Sequence, residues 1–528
     1  MKKTIVIFLS VLCPLVLGAQ SINHSVEVSN EFESVVPDAH KLGLEMSVPD
    51  TLLTFDYNFD YSVFDSPYKG AYEFSPYTIQ MRPESSRYDG RKLYLRAGAG
   101  FYLHPELDAV YAVKADKKSA MSLFARADGY AQKEDHDLLA TVGMENRWIL
   151  KNSVATFGAD YKGIYTEDSH GCINLNSAGF RTGIRSLSTG SYFYYDVNFV
   201  YRFAHEDFIQ MANQQEHLLR ISGTAGPVIQ NKYRFLVDFV VRQSFASGLR
   251  ESSASFISLL PHISFLLGPV NFNAGAKIDY AKDLMFTPSV EATFALGPAN
   301  TLYAGVKGGT NVMSGFDYKL ANHRFNTYWM YNQTTDTFSG FGNIQKDKID
   351  IYGGLRGSIG NFFHYKLKGG YALRGAVPLE MLKSGVIFYS FQDYGSFYGG
   401  LEADWKDERL SIHAKADFLK ALLAEDAVCF APAMLKGEFS LTYNWENRVW
   451  AGLTLDASSG REAKGMAGVD SIPSYFDLGI NAEYKLNSRM GVWVKAGNLL
   501  CQKIQRVPTY IEKGPYGTVG ISLSLQDF

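Results

Sequence analysis

The stretch NKYRFLVDFVVRQ, Asn231 to Gln243, narrows the possible folds more than any other. Tyr233, Phe235, Val237, Phe239 and Val241 hold every second position, and Lys232, Arg234, Asp238 and Arg242 fall between them. A period of two belongs to a strand, whose successive side chains point to opposite faces. One face is hydrocarbon-like and the other carries full charges. In VNFNAGAKIDYA, Val270, Phe272, Ala274, Ala276, Ile278 and Tyr280 alternate with Asn271, Asn273, Gly275, Lys277 and Asp279. KLYLRAGAGFYL, from Lys92, and FDLGINAEYKL, from Phe476, repeat the pattern.

A soluble sandwich also alternates, so the number of strands and their connections decide more than any single strand. The pattern predicts an all-β chain of about 22 antiparallel strands (range roughly 16–22), each of about 10–15 residues. Short turns are expected at Lys151–Asn152, Ser188–Gly190, Gly226–Pro227, Gly268–Pro269, Gly297–Asn300, Gly360–Asn361, Glu446–Arg448 and Asn487–Arg489. Longer connections are expected near 204–214, 310–346, 374–393, 457–473 and 500–514. Short turns on one rim and longer loops on the other describe a transmembrane up-and-down β-barrel. Its apolar rows would face outer-membrane lipid and its charged rows an interior. No run after the N-terminus reaches the roughly 18 apolar residues of a transmembrane helix.

The start, MKKTIVIFLSVLCPLVLGAQ, has the charged, apolar and small-residue segments of a secretory signal, with cleavage expected after Ala19. LSVLC lacks the small residue that precedes a lipidated cysteine, so ordinary cleavage is favoured over lipidation. The expected organisation is a signal at 1–19, a periplasmic or lumenal segment at 20–90 and a barrel at 91–528. Net charge is −3, which gives no sign of a nucleic-acid partner. Cys172, Cys429 and Cys501 remain after cleavage, too few and too widely spaced for a disulfide framework or a zinc motif.

NLLCQKIQRVPTYIEKGPYGTVGISLSLQDF, from Asn498, resembles the end of TonB-dependent outer-membrane receptors, with Asn498, Leu499, Leu500, Gln502 and Gln505 fitting. Cys501 and Ile504 depart from the pattern. VEVSNEFESVVPDAHKLGLEMSVPDTLLTFDYNFDYSVF, from Val26, resembles the N-terminus of plug-less, TonB-receptor-like barrels of the Bacteroidota. The resemblance implies an exported protein of the Gram-negative cell outer membrane, with transport or uptake as its task. Its partners would be outer-membrane lipid, the barrel assembly machinery, and TonB or outer-membrane partner proteins. An accessory or structural subunit of an outer-membrane assembly is the alternative. His24–Ser29 reads as a degenerate TonB box or an ordinary extended segment, and Phe528 as the terminal assembly signal.

No enzyme constellation stands out, and no cofactor is expected. EDSHGCIN, with Glu167, Asp168, Ser169, His170 and Cys172, reads as a solvated outer loop, and AHED, Ala204 to Asp207, as no better a site. The lumen-facing candidates are Arg96, Arg202, Lys232, Arg234, Asp238, Lys277, Asp279, Asp350, Arg356, Glu483 and Lys485. Their mixed signs differ from a filter that concentrates one sign. A barrel of this size is wide enough to need closing. The candidates for closure are 20–90, the 310–346 loop, the apolar stretch Leu423–Pro432, or a partner.

Overall fold

The structure, a computed structural model, describes residues 91–526 apart from 102, 117, 133–134, 169–170, 188–191, 209–212, 230–232, 249–251, 322–342, 384–385, 467–470 and 509. In chain order the first strands are β1 (Arg91–Gly100), β2 (Glu106–Asp116), β3 (Ser119–Gln132), β4 (Asp135–Ile149), β5 (Ser153–Asp168), β6 (Gly171–Ser186), β7 (Phe193–Phe208) and β8 (Gln214–Ile229). Next come β9 (Tyr233–Ser247), β10 (Ser252–Leu267), β11 (Val270–Tyr280), β12 (Leu284–Ala295), β13 (Asn300–Met313), a short helix α1 (Gly315–Ala321) and β14 (Asn343–Ile359). The wall continues with β15 (Phe363–Lys383), β16 (Val386–Lys406), β17 (Leu410–Leu422), β19 (Leu435–Trp445), β20 (Val449–Ser458), β22 (Tyr475–Lys485), β23 (Met490–Gly497) and β24 (Tyr516–Gln526). Two short strands, β18 (Cys429–Phe430) and β21 (Ala463–Lys464), pair only with each other.

Twenty-two strands form one antiparallel sheet, and β1 pairs with β24 to close it. Closure leaves no edge, and each strand bonds to a neighbour on both sides. The even count brings the first and last strands back to the same rim, with Arg91 opposite Gln526. The apolar rows point outward: Phe235 and Val237, Leu302, Ile351, Leu401, Ile480, Val519 and Ile521 are all exposed. They form the lipid-facing belt the alternation predicts.

One rim carries the tight turns. Gly268 and Gly360 adopt positive φ there, and Glu446 and Asn447 do so in succession, in a turn closed by the Arg448 N–H on the Trp445 carbonyl at 2.9 Å. The Gly226–Pro227 turn is a correction. β8 runs through it to Ile229, and β9 starts at Tyr233. Pro227 sits near the strand end opposite Phe193, where the missing N–H is tolerated. On the other rim, two expected loops are largely strand. β15 and β16 run 21 residues each and meet across 384–385, replacing the 374–393 loop. β7 and β8 likewise extend into 204–214. A membrane strand needs only about 9–11 residues, so these hairpins continue past the lipid, where ladder pairing still satisfies the backbone. β5 and β6 likewise run into the EDSHGCIN stretch, with Asp168 paired to Gly171.

Inward glycines let aromatic rings lie along the wall. Tyr303 crosses Gly354 and donates to the Leu367 carbonyl at 3.3 Å. Tyr352 crosses Gly305 and reaches Glu291 at 2.7 Å, and Tyr398 crosses Gly370 and reaches Asp350 at 2.6 Å. Each ring covers a neighbouring strand and bonds one strand further, which stiffens the β12–β16 arc.

Val237→Arg, near mid-strand on the outer row, should destabilise the barrel by about 2–4 kcal/mol. Urea unfolding in lipid vesicles measures this; an unchanged midpoint would mean that row does not face hydrocarbon.

Candidate functional site in the barrel interior

Beyond β13 the chain turns into the barrel. The Ser314 hydroxyl accepts the Asp317 N–H at 3.2 Å, and the Asp317 carboxylate accepts the Ser314 N–H at 2.8 Å. This reciprocal cap starts α1 by satisfying N–H groups that have no partner within the helix. Phe316 then packs on Ile164, Leu175 and Ala204 of β5, β6 and β7. Its N–H donates to Glu216 of β8 at 2.9 Å. Arg242 of β9 donates to the Val312 carbonyl at 2.7 Å and pairs with Asp317. Tyr318 packs with Ala246 of β9 and Met313 of β13, and its ring also meets Tyr389 near the tip of the β15–β16 hairpin, with centroids 4.8 Å apart. The helix is thus held at the loop rim between the inner faces of β5–β9 and that hairpin.

Lys319 is wholly buried, its Nζ 2.6 Å from Glu206 Oε1. Burial pushes this lysine below the ordinary lysine range, and the Glu206 carboxylate pulls it back. Burial alone would raise Asp317, but Arg242 and the Ser314 amide hold it below the usual carboxylate range. Such pairs gain little over apolar packing, yet losing one partner strands a charge. The contacts therefore fix where α1 docks more than they add stability.

A second group of outer connections folds onto β15–β24. Ala427 and Cys429 pack with Val377, Leu379 and Tyr394. The neighbouring Phe430 is buried too, with Arg461 5.8 Å from its ring. Arg461 also donates to the Ala431 carbonyl at 3.1 Å and pairs with Glu380 at 2.8 Å. Arg506 pairs with Asp456, with Asp477 at 3.2 Å and with Glu512 at 2.7 Å, and lies 4.6 Å from the Tyr475 ring. Lys513 donates to His104 Nδ1 at 2.9 Å, and His104 Nε2 stands 3.1 Å from Asp128. The last outer connection is thus tied across the β24–β1 seam to β3.

The residues expected to line the interior are spread around the wall in separate pairs. Arg96 lies 4.0 Å from the Trp493 ring, Glu483 accepts the Ser522 hydroxyl, and Lys485 lies 4.2 Å from the Trp450 ring, all toward the turn rim. Asp238 accepts from Thr224 at 2.6 Å and faces His262 at 3.4 Å. Lys277 is 3.8 Å from Asp279, whose carboxylate accepts the Thr310 N–H. Asp350 holds Tyr398, Arg356 lies 5.7 Å from the Tyr303 ring, and Arg234 stands opposite Ser264. Lys232 and Phe528 lie outside the described residues, as do residues 20–90. Arg202 alone joins α1, 5.0 Å from Phe316 and 3.2 Å from Asp160.

Sequence reasoning missed Glu206, Glu216, Arg242, Asp317 and Lys319 as a set. Parity was the available signal, since Glu206 continues the inward row of Arg202 and Ala204.

No protein-family model matches the chain, and neither does any curated protein. Solved structures do match. The chain is similar to the copper transporter OprC at 13% identity and TM-score 0.60, over 82% of each chain. It is similar to the siderophore receptor PirA of Pseudomonas aeruginosa at 13% identity and TM-score 0.58, over 82% of this chain and 80% of that one. The FrpB iron transporter of Neisseria meningitidis (F3-3 variant) matches at 8% identity and TM-score 0.64, over 82% and 81%. The chain shares the barrel fold of these proteins. At such identities the likeness speaks for the wall and not for any ligand.

Glu206→Gln would remove the carboxylate that lies 2.6 Å from the buried Lys319 ammonium. Docking of α1 should weaken by about 3–5 kcal/mol. Amide hydrogen exchange across 314–321 should accelerate by a hundredfold or more; unchanged protection would show that α1 does not rely on this pair.

Proposed function

We propose that this protein resides in the outer membrane and serves transport or uptake across it, with its own outer connections closing the interior. The observation that carries this reading is α1, which docks on the inner faces of β5–β9 through hydrogen bonds and ion pairs as well as the buried Phe316 and Tyr318. Its polar contacts can be exchanged for contacts to a ligand. The similar structures, named as transporters and receptors, support the same class of task. In this reading, residues 1–19 direct export, Phe528 engages the barrel assembly machinery, and His24–Ser29 offers the contact for TonB.

The second fold-in favours another reading. Arg461, Arg506 and the β18–β21 pair anchor further outer connections to the wall. A barrel closed that firmly would suit a non-transporting subunit that presents its outer face to partner proteins.

Planar-bilayer recording separates the two. The intact chain should be nearly silent, and replacing 314–321 with a Gly-Ser linker should give discrete channel openings. Large, steady currents from the intact chain would overturn closure. Silence from both chains, and from one also lacking 20–90, would favour the accessory subunit.

A further inference from the structure

Near the turn rim, three metal-ligating side chains meet on two adjacent strands, with a fourth in register on the next strand. Glu402 and Asp404 are two apart on β16 and so share its inward face; the flanking Leu401 and Trp405 belong to the exposed outer row. His413 of β17 is the register partner of Asp404, and His364 of β15 is its partner on the other side. His413 Nδ1 stands 2.6 Å from Asp404 Oδ1. One donor atom from each of Glu402, Asp404 and His413 lies within 4.8 Å of the others. His413 remains partly exposed to the interior, so the cluster is reachable.

We propose that Glu402, Asp404 and His413, with His364 beside them, bind a divalent transition-metal ion of the zinc class on the interior wall. Bonds of about 2.0–2.2 Å in a tetrahedral site put donors about 3.3–3.6 Å apart. The donors already lie within 4.8 Å of one another, and the ion requires His413 and Asp404 to part from 2.6 Å. Calcium and magnesium prefer six or more oxygen donors. A mixed imidazole and carboxylate set suits zinc and its neighbours.

Lys366 and Lys415 stand opposite Glu402 on the two flanking strands, and Lys415 also pairs with Asp417 at 3.4 Å and Glu438 at 3.7 Å. The cluster is therefore not the strongly acidic cage that a hard cation needs, and a bound ion must draw on the imidazole donors. The ion would take the place of the proton between His413 Nδ1 and Asp404, releasing that proton to solvent. Affinity should accordingly fall as pH drops. No run of sequence announces this site, because its donors come from an i, i+2 pair and two cross-strand partners.

The test uses the full-length mature chain in detergent, stripped with a chelator and titrated with zinc against a chromophoric competitor. One zinc ion per chain is expected. His413→Ala and Asp404→Asn should each weaken it at least about tenfold, while His205→Ala, on the loop rim, should not. Zinc should also shield His413 of the unaltered chain from carbethoxylation, a readout independent of whether variants fold or the barrel transports. No zinc uptake, undiminished uptake in both variants, or equal modification of His413 with and without zinc would reduce the cluster to an Asp404–His413 hydrogen bond.

Discussion

Everything in this structure depends on backbone hydrogen bonding in a medium without water. A strand in lipid has no solvent to satisfy its N–H and C=O groups, so an open sheet edge is excluded and the sheet must close. The β1–β24 pairing meets that demand. The period-2 pattern then follows, since every strand has one face toward hydrocarbon and one toward the interior. The Tyr233–Ser247 strand shows both faces, with Phe235 and Val237 outward and Arg242 reaching α1.

Closure creates the second problem, a wide interior. The chain meets it at the loop rim by turning connections inward instead of away. Docking polar segments on a charged wall requires a partner for every buried charge, which explains the pairing of Lys319 with Glu206 and Arg242 with Asp317. Arg461 and Arg506 do the same for the later connections. The balanced signs along the inward rows suit the docking of such segments. A single-sign pore would repel such segments.

The wall was legible in the sequence because a strand's environment is local. Alternating rows such as Phe272, Ala274 and Ala276 against Asn273 and Lys277 need no knowledge of distant residues, and all 22 expected strands have a counterpart in the sheet. Strand ends were harder to read. Past the lipid both faces are wet, alternation fades, and hairpins such as β15–β16 look like loops. Gly226–Pro227 misled for a related reason: a turn-like dipeptide also fits a strand end. The interior contacts were not legible. Glu206 meets Lys319 only because β7 and the segment after β13 converge at the loop rim, and no local pattern encodes that meeting.

The most direct measurement is a cross-link between α1 and the β15–β16 hairpin. Tyr318→Cys and Tyr389→Cys would be introduced together into a chain whose own cysteines are replaced by serine, assembled in membranes and treated with a short bifunctional thiol reagent. The two thiols should be bridged, because the rings they replace stand 4.8 Å apart, centroid to centroid. No bridge forming there, with both thiols open to a bulky water-soluble maleimide, would place the segment after β13 outside the barrel and contradict a self-closed interior.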